Sequence, residues 1–159
     1  MAPMKSTLRP LALALLAALC APAWPQTTQE HVHSHAHAVM PFDVAKTVHI
    51  FRMTESGGVQ RVVTRISDVQ QADLVRQHLK QEALQFQHGN YADPARLHGA
   101  GMPGLAQLRE GAARIKVTYR ELPNGAELEF RTRDISLVTA IHRWFGAQLS
   151  EHGADAKAE

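Results

Sequence analysis

Hydrophobic and polar positions alternate in two pairs of short segments. The first pair is "AKTVHIFRM" (45–53) and "VQRVVTRI" (59–66), and the second is "ARIKVTYREL" (113–122) and "AELEFRT" (126–132). Alternation with a period of two is typical of strands that bury one face. A short turn separates the members of each pair, and Asn124-Gly125 in the second turn favours a tight hairpin. Each pair therefore predicts an antiparallel hairpin.

Apolar residues recur at helical spacing in two longer segments. One begins at Val69, after the candidate N-cap Asp68, and continues to about His88; the other spans about 136–152 and ends before Gly153. Caps and glycine stops of this kind mark helix ends. The order strand-strand-helix, loop, strand-strand-helix predicts an α+β fold, in which a four-stranded antiparallel sheet carries two long helices on one face.

The N-terminus has the pattern of an export signal. Lys5 and Arg9 precede the apolar run Leu11–Cys20, and Ala21 and Ala23 form a small-residue cleavage pattern. Ten apolar residues are too few to span a bilayer. We therefore expect residues 1–23 to be a signal peptide, cleaved after Ala23, and the mature protein to be periplasmic, with no membrane span.

Removal of the signal peptide changes the chemistry of the chain. It takes away two of the 17 basic residues, Lys5 and Arg9, and none of the 15 acidic ones, so the mature chain is formally neutral apart from its histidines. A neutral chain lacks the basic stripe of a nucleic-acid binder. The single cysteine, Cys20, is also lost. Disulfides, thiolate metal sites and cysteine nucleophiles are therefore excluded from the mature form.

A run of alternating histidines follows the predicted cleavage site. We call residues 31–37 the histidine tract; it carries four imidazoles, on His31, His33, His35 and His37. The surrounding segment 24–43 shows no apolar periodicity before Phe42, which predicts a flexible leader that recruits copper, zinc or nickel. A polar leader without a metal is the alternative. Residues 44–153 then form one α+β domain, and residues 154–159 form a disordered tail.

Ionisable side chains interrupt the apolar stripes of both predicted long helices. Glu82 falls in the middle of the first stripe and His78 lies one helical turn before it, whereas His142 and His152 flank the second stripe. A buried carboxylate requires a cationic or hydrogen-bonding partner. The four residues therefore predict a core metal or ligand site. The structural alternatives are a Glu–His or Glu–Arg pair and histidines that merely border the core.

The connecting loop "GNYADPARLHGAGMPG" (89–104) contains a further pair of candidate ligands, His98 and Met102. Long glycine- and proline-containing loops are often functional, and imidazole with thioether suits copper. We expect both side chains to close the core site. Otherwise, His98 hydrogen-bonds to backbone and Met102 fills the core.

The strings "FQHGNYADPARLHGAGMPGL" and "AIHRWFGAQLSEHGADA" resemble a family of small exported proteobacterial proteins that have a His-rich leader and an AIHxWFxAQ-type closing motif. Sequences of this kind are sometimes labelled aspartate carbamoyltransferase. That label fits poorly. The catalytic chain of aspartate carbamoyltransferase is far longer and has a Ser-Thr-Arg-Thr loop, which this sequence lacks. Its regulatory chain binds zinc through four cysteines, whereas the predicted mature protein has none. The resemblance implies export but no mechanism.

Three functions are consistent with this sequence. The preferred one is a periplasmic metal-binding protein for copper, zinc or nickel, with the leader as recruiting segment and a His/Glu/Met core site. The second is a small enzyme or ligand-binding protein that uses the same cluster. No nucleophile elbow, phosphate loop, HExxH or dinucleotide motif indicates a reaction. The third is an interaction module of the cell envelope, whose protein partner the sequence does not identify.

Overall fold

The computed structural model describes residues 28–159. The predicted signal peptide and its cleavage site lie outside the described residues. The helices and strands follow in chain order: α1 Thr28–His35, β1 Thr47–Thr54, β2 Gly57–Thr64, α2 Val69–Gln87, α3 Ala92–His98, α4 Leu105–Gly111, β3 Lys116–Leu122, β4 Gly125–Arg131, α5 Ile135–His152 and β5 Ala156–Ala158. The α+β class predicted from the sequence is confirmed.

The sheet has five strands, in the order β3-β4-β2-β1-β5. Both predicted hairpins are present as the antiparallel pairs β1–β2 and β3–β4. The prediction of four antiparallel strands is wrong, because β5 adds to the edge of β1 in parallel, with Ala156 opposite His49. The predicted disordered tail is therefore partly a strand. Strand β5 has only three residues, which is too short for a hydrophobic alternation to be recognised in the sequence. Its pairing with the edge of β1 is therefore known only from the structure.

One face of the sheet is apolar and the other is charged. Phe51 packs against Phe145 of α5 at a ring-centroid distance of 5.0 Å, and Phe130 packs against Phe86 of α2 at 5.9 Å. On the opposite face, Glu127 accepts hydrogen bonds from two arginine side chains. Both long helices therefore lie on the same face, as the strand alternation predicts.

The long helices begin at aspartate caps. The Asp68 side chain accepts from the backbone N–H of Gln71 at 3.1 Å, which confirms the predicted N-cap. Asp134 accepts from the backbone N–H of Ser136 at 2.9 Å, so α5 begins one residue earlier than expected. Such caps satisfy backbone donors that the first helical turn leaves unpaired. Within residues 28–159, no helix is both long enough and apolar enough to cross a bilayer.

The predicted flexible leader is ordered structure from Thr28 onward. It forms α1, and Val32, Ala36, Met40 and Phe42 are each less than 7% exposed within the hydrophobic core. Val32, Ala36 and Met40 are four residues apart, the spacing of one helical face. The alternating histidines obscured this spacing, because a period of two is the more conspicuous pattern in the sequence.

The predicted loop 89–104 contains the short helix α3, and the short helix α4 follows it. Between them, Gly104 adopts φ = 84° and lies directly against the backbone of Ala140 in α5. A Cβ at this position would collide with that backbone, so glycine is required for the close approach. This contact ties the loop to α5, and α3 is held beside the C-terminal half of the same helix.

Candidate functional site

A small cavity lies between the sheet and the helices, below the segment that follows α1. Its volume is about 50 Å³, which is enough for a few water molecules or an ion. We call it the histidine cavity, because four imidazoles and two carboxyl groups line it: His49, His78, His98, His152, Glu82 and Asp93. These groups come from β1, α2, α3 and α5, so the cavity exists only in the folded chain.

Three of the imidazoles form a continuous column. The His49 ring stacks on the His152 ring with centroids 4.7 Å apart and planes inclined by 23°. The His98 ring meets the His152 ring edge-on, with centroids 5.0 Å apart. His152 is therefore the middle member, and it joins strand β1 to helix α3 across the end of α5.

A carboxylate orients the outermost ring of this column. Nδ1 of His98 lies 2.6 Å from Oε2 of Glu151, and the His98 side chain is almost completely buried. When Nδ1–H donates to a carboxylate, the lone pair of the neutral ring is on Nε2. The same arrangement fixes the tautomer of histidines that bind metal ions.

Burial keeps the column uncharged. Desolvation lowers the pKa of His152 to about 3 and that of His98 to about 4. It also lowers the pKa of His49 well below the usual imidazole value, with a further contribution from the neighbouring His152. A neutral imidazole has a free lone pair, and only this form coordinates a metal. The three rings are therefore in the ligand-competent state at neutral pH.

The carboxyl groups across the cavity form a second feature. Burial raises the pKa of Glu82 to about 8, and the side chain of Glu82 is hydrogen-bonded to that of Asp93. Two carboxyl groups share a hydrogen bond only when one is protonated. Burial also lowers the pKa of nearby His78, whose ring contacts Phe42 edge-on at 5.6 Å. With Glu82 protonated the cavity therefore has little charge, and a cation that enters it favours ionisation of Glu82.

Several buried polar atoms along the cavity have no protein partner. They are Nδ1 of His49, Oε1 of Gln60 and Nε2 of Gln148, and all three residues line the cavity. Buried polar groups are almost always hydrogen-bonded, because an unpaired one costs about 1–3 kcal/mol. These atoms include both donors and acceptors, so they can bind a polar occupant.

The structure brings four of the six predicted core residues to this cavity: His78, Glu82, His98 and His152. The other two lie elsewhere. Nε2 of His142 is 2.8 Å from the carbonyl oxygen of Gly57 and 3.0 Å from that of Thr54, which gives this ring a structural hydrogen-bonding role at the β1–β2 turn. Met102 is 5% exposed and belongs to the hydrophobic core.

The sequence did not predict His49, Asp93 and Gln148 as residues of this site. Alternation shows that His49 shares a strand face with Phe51, but it does not show which face the helices cover. Asp93 lies in a helix that the sequence predicts as a loop, and Gln148 is a buried amide in α5. One feature of the sequence could have indicated that His49 is buried: it shares a strand face with the large aromatic residue Phe51.

All four residues of the histidine tract are exposed. His31, His33 and His35 lie on α1, and His37 lies in the turn that follows it. Nδ1 of His33 is 3.0 Å from Oδ2 of Asp155. Val39 and Met40, which follow shortly after the tract, line the histidine cavity. The tract is therefore part of the structure that covers the cavity.

Among residues 28–159, no three His, Cys, Asp or Glu side chains are already arranged as a metal site. The histidine cavity therefore offers neutral imidazoles in contact, but not a preformed coordination sphere. Comparison with known proteins adds no relative to this description: no family model, curated protein or solved structure matches the chain.

Proposed function

We propose that this protein binds a transition-metal ion, copper or zinc, in the histidine cavity. The observation that carries the proposal is the column of three neutral, buried imidazoles, His49, His152 and His98, beside unpaired polar atoms. Imidazole suits copper, zinc and nickel, and the predicted mature chain offers no thiolate to compete. The predicted export to the periplasm is part of the same proposal.

Binding requires a local rearrangement of the rings. Zinc–nitrogen bonds are about 2.0–2.1 Å long, whereas the ring centroids of His49 and His152 are stacked 4.7 Å apart. The rings must rotate so that their lone pairs converge on one point. Since Nδ1 of His49 has no hydrogen bond, its rotation breaks none at that atom. Ionisation of Glu82 on binding would supply one compensating negative charge.

The test is a calorimetric titration with Cu(II) and with Zn(II) in a variant whose tract histidines are all glutamine (His31, His33, His35 and His37→Gln). Only the cavity then retains clustered histidines. We expect one ion per chain. Adding His152→Gln should weaken binding by more than about tenfold, since it removes the central ligand. Adding His88→Gln is the matched control, because His88 is an exposed histidine outside the cavity.

Circular dichroism and thermal unfolding serve as controls that each variant is folded. Unchanged affinity in the His152→Gln variant, or no binding at all by the tract-free protein, would contradict the proposal.

One observation favours a second candidate, a small enzyme or ligand-binding protein. The raised pKa of Glu82, about 8, results from burial and from Asp93, and shifts of this size are common for catalytic acids. A carboxyl group that remains protonated at neutral pH can donate a proton or a hydrogen bond to a small neutral ligand. A tract-free protein that binds no metal would favour this candidate.

A further inference from the structure

We infer that His31 and His35 form an outer metal site on the exposed face of α1, from which the ion passes to the histidine cavity through His98 and His152. This inference rests on the proposed function and adds a route to it. It replaces a flexible chelating tract with a defined pair of ligands on a helix. Two observations support it: the spacing of His31 and His35, which we call the outer pair, and the packing of their helix against the helices that carry His98 and His152.

The outer pair has the helical spacing of a two-histidine chelate, and its exposed rings need only a rotation for their lone pairs to converge on one ion. The His31 and His35 rings are one helical turn apart and stacked, with centroids at 4.2 Å and planes inclined by 27°. Nδ1 of His35 lies 2.9 Å from the carbonyl oxygen of His31, so Nδ1–H donates to it and the lone pair is on Nε2. Histidines at positions i and i+4 of a helix project to one side and bind one ion together.

The other tract histidines lack this arrangement. His33 is paired with Asp155 on a different side of α1. His37 follows the end of the helix, in the 3-10 turn Ala36–Ala38. His33 and His37 have the same four-residue separation in sequence as the outer pair, yet no ring contact joins them. The four histidines look equivalent in the sequence, but in the structure only His31 and His35 are in contact with each other.

Helix packing brings the outer pair to the cavity column. Helix α1, which carries the pair, packs against α3 and α5, the helices that end at His98 and His152. From His98 the column passes to His152 and then to His49, with centroid separations of 5.0 and 4.7 Å. An ion that exchanges one imidazole for the next avoids the large desolvation cost of crossing an apolar wall without ligands.

The experiment measures Cu(II) binding by stopped-flow quenching of Trp144 fluorescence. Trp24→Phe leaves Trp144 as the single tryptophan of the chain. Three proteins are compared in that background: the unmodified tract, His31→Gln with His35→Gln, and His33→Gln with His37→Gln. The two double variants lose the same number of histidines, so their comparison isolates the geometry of the removed pair, apart from the His33–Asp155 contact that the second variant also loses. Equilibrium calorimetry supplies the stoichiometry of each.

We expect the His31/His35 variant to lose one bound ion and to fill the cavity at least about tenfold more slowly, while the cavity affinity changes by less than about threefold. The His33/His37 variant should match the unmodified tract. Equal slowing in both variants, or slowing in neither, would overturn the inference. Absence of quenching in all three proteins would overturn the proposed function and the transfer step, and the stoichiometry would still decide the outer site.

Discussion

Nδ1 of His98 lies 2.6 Å from Oε2 of Glu151, which joins α3 to the last turn of α5. The two residues are 53 positions apart in sequence. Their contact fixes the orientation of the His98 ring, which lines the histidine cavity. Burial raises the pKa of Glu151 and lowers that of His98. A short hydrogen bond between them holds the neutral ring in one orientation.

Replacement of Glu151 should therefore weaken metal binding without removing a ligand. We expect Glu151→Ala to lower the cavity affinity by about 10–100-fold, the usual effect of losing the partner that orients a ligating histidine. Glu151→Gln, which retains an acceptor, should lose less. Calorimetry of the tract-free protein measures both. Glu55→Ala, an exposed glutamate in the β1–β2 turn, is the control and should have no effect.

The raised pKa of Glu82 predicts a pH-dependent stability. Burial and Asp93 raise this pKa from 4.5 to about 8, so the folded state holds a proton that the unfolded state releases. Ionisation of Glu82 should therefore lower the free energy of unfolding by roughly 2 kcal/mol between pH 6 and pH 8. The buried histidines act in the opposite direction over the same interval, because their lowered pKa values make the unfolded state the better proton binder near pH 6. The free energy of unfolding of Glu82→Gln should therefore rise, relative to that of the wild type, by roughly 2 kcal/mol between pH 6 and pH 8, as urea unfolding at the two pH values would show.

Glu82→Leu tests the same carboxyl group without a polar substitute. It should have the same pH dependence as Glu82→Gln, and it should exceed the wild type in stability at pH 8, since an apolar residue of similar volume often replaces a buried ionisable group favourably. The groups that face Glu82 are Asp93, His78 and Tyr91. Equal pH slopes in all three proteins would show that Glu82 ionises normally.

Metal binding in the cavity should resist moderate acid. The pKa values of His98 and His152, about 4 and about 3, are far below the ordinary imidazole value of about 6.5. Protons therefore do not compete for these rings at pH 5.5. In the tract-free protein with Glu82→Gln, the affinity for Zn(II) should change by less than about threefold between pH 7.4 and pH 5.5.

The same titration with Glu82 present isolates the role of its carboxyl group. A larger fall at pH 5.5 than in the Gln variant would identify Glu82 as a ligand that must lose a proton on binding. A steep fall in the Gln variant itself would contradict the lowered pKa values of the histidines.

Deletion of residues 28–40 should destabilise the protein, which the deletion of a flexible leader would not do. The segment buries Val32 and Met40 at 2% and 6% exposure, and burial of such side chains stabilises by about 1.5–3 kcal/mol each. The thermal midpoint should fall by more than about 5 °C. Replacing all four tract histidines by glutamine is the control, and it should leave the midpoint nearly unchanged because those side chains are exposed.

The sequence by itself determined the elements whose patterns are local and repeated. The two hairpins follow from alternation, and the ends of α2 follow from its apolar stripe and from Asp68. It also identified Glu82 as a buried carboxyl group, because the stripe of α2 passes through that position. Each of these features depends on residues within a few turns of one another, so the chain displays them before it folds.

Only the tertiary structure decided the remaining features. Whether His49 faces the helices depends on which side of the sheet α5 covers, and β5 exists because β1 offers an unpaired edge. The α1 helix is ordered because the core accepts Val32, although its own sequence is rich in histidine. Helices this short are marginal in water without packing. The histidine column is likewise a product of packing, because its members come from three elements that are distant in sequence.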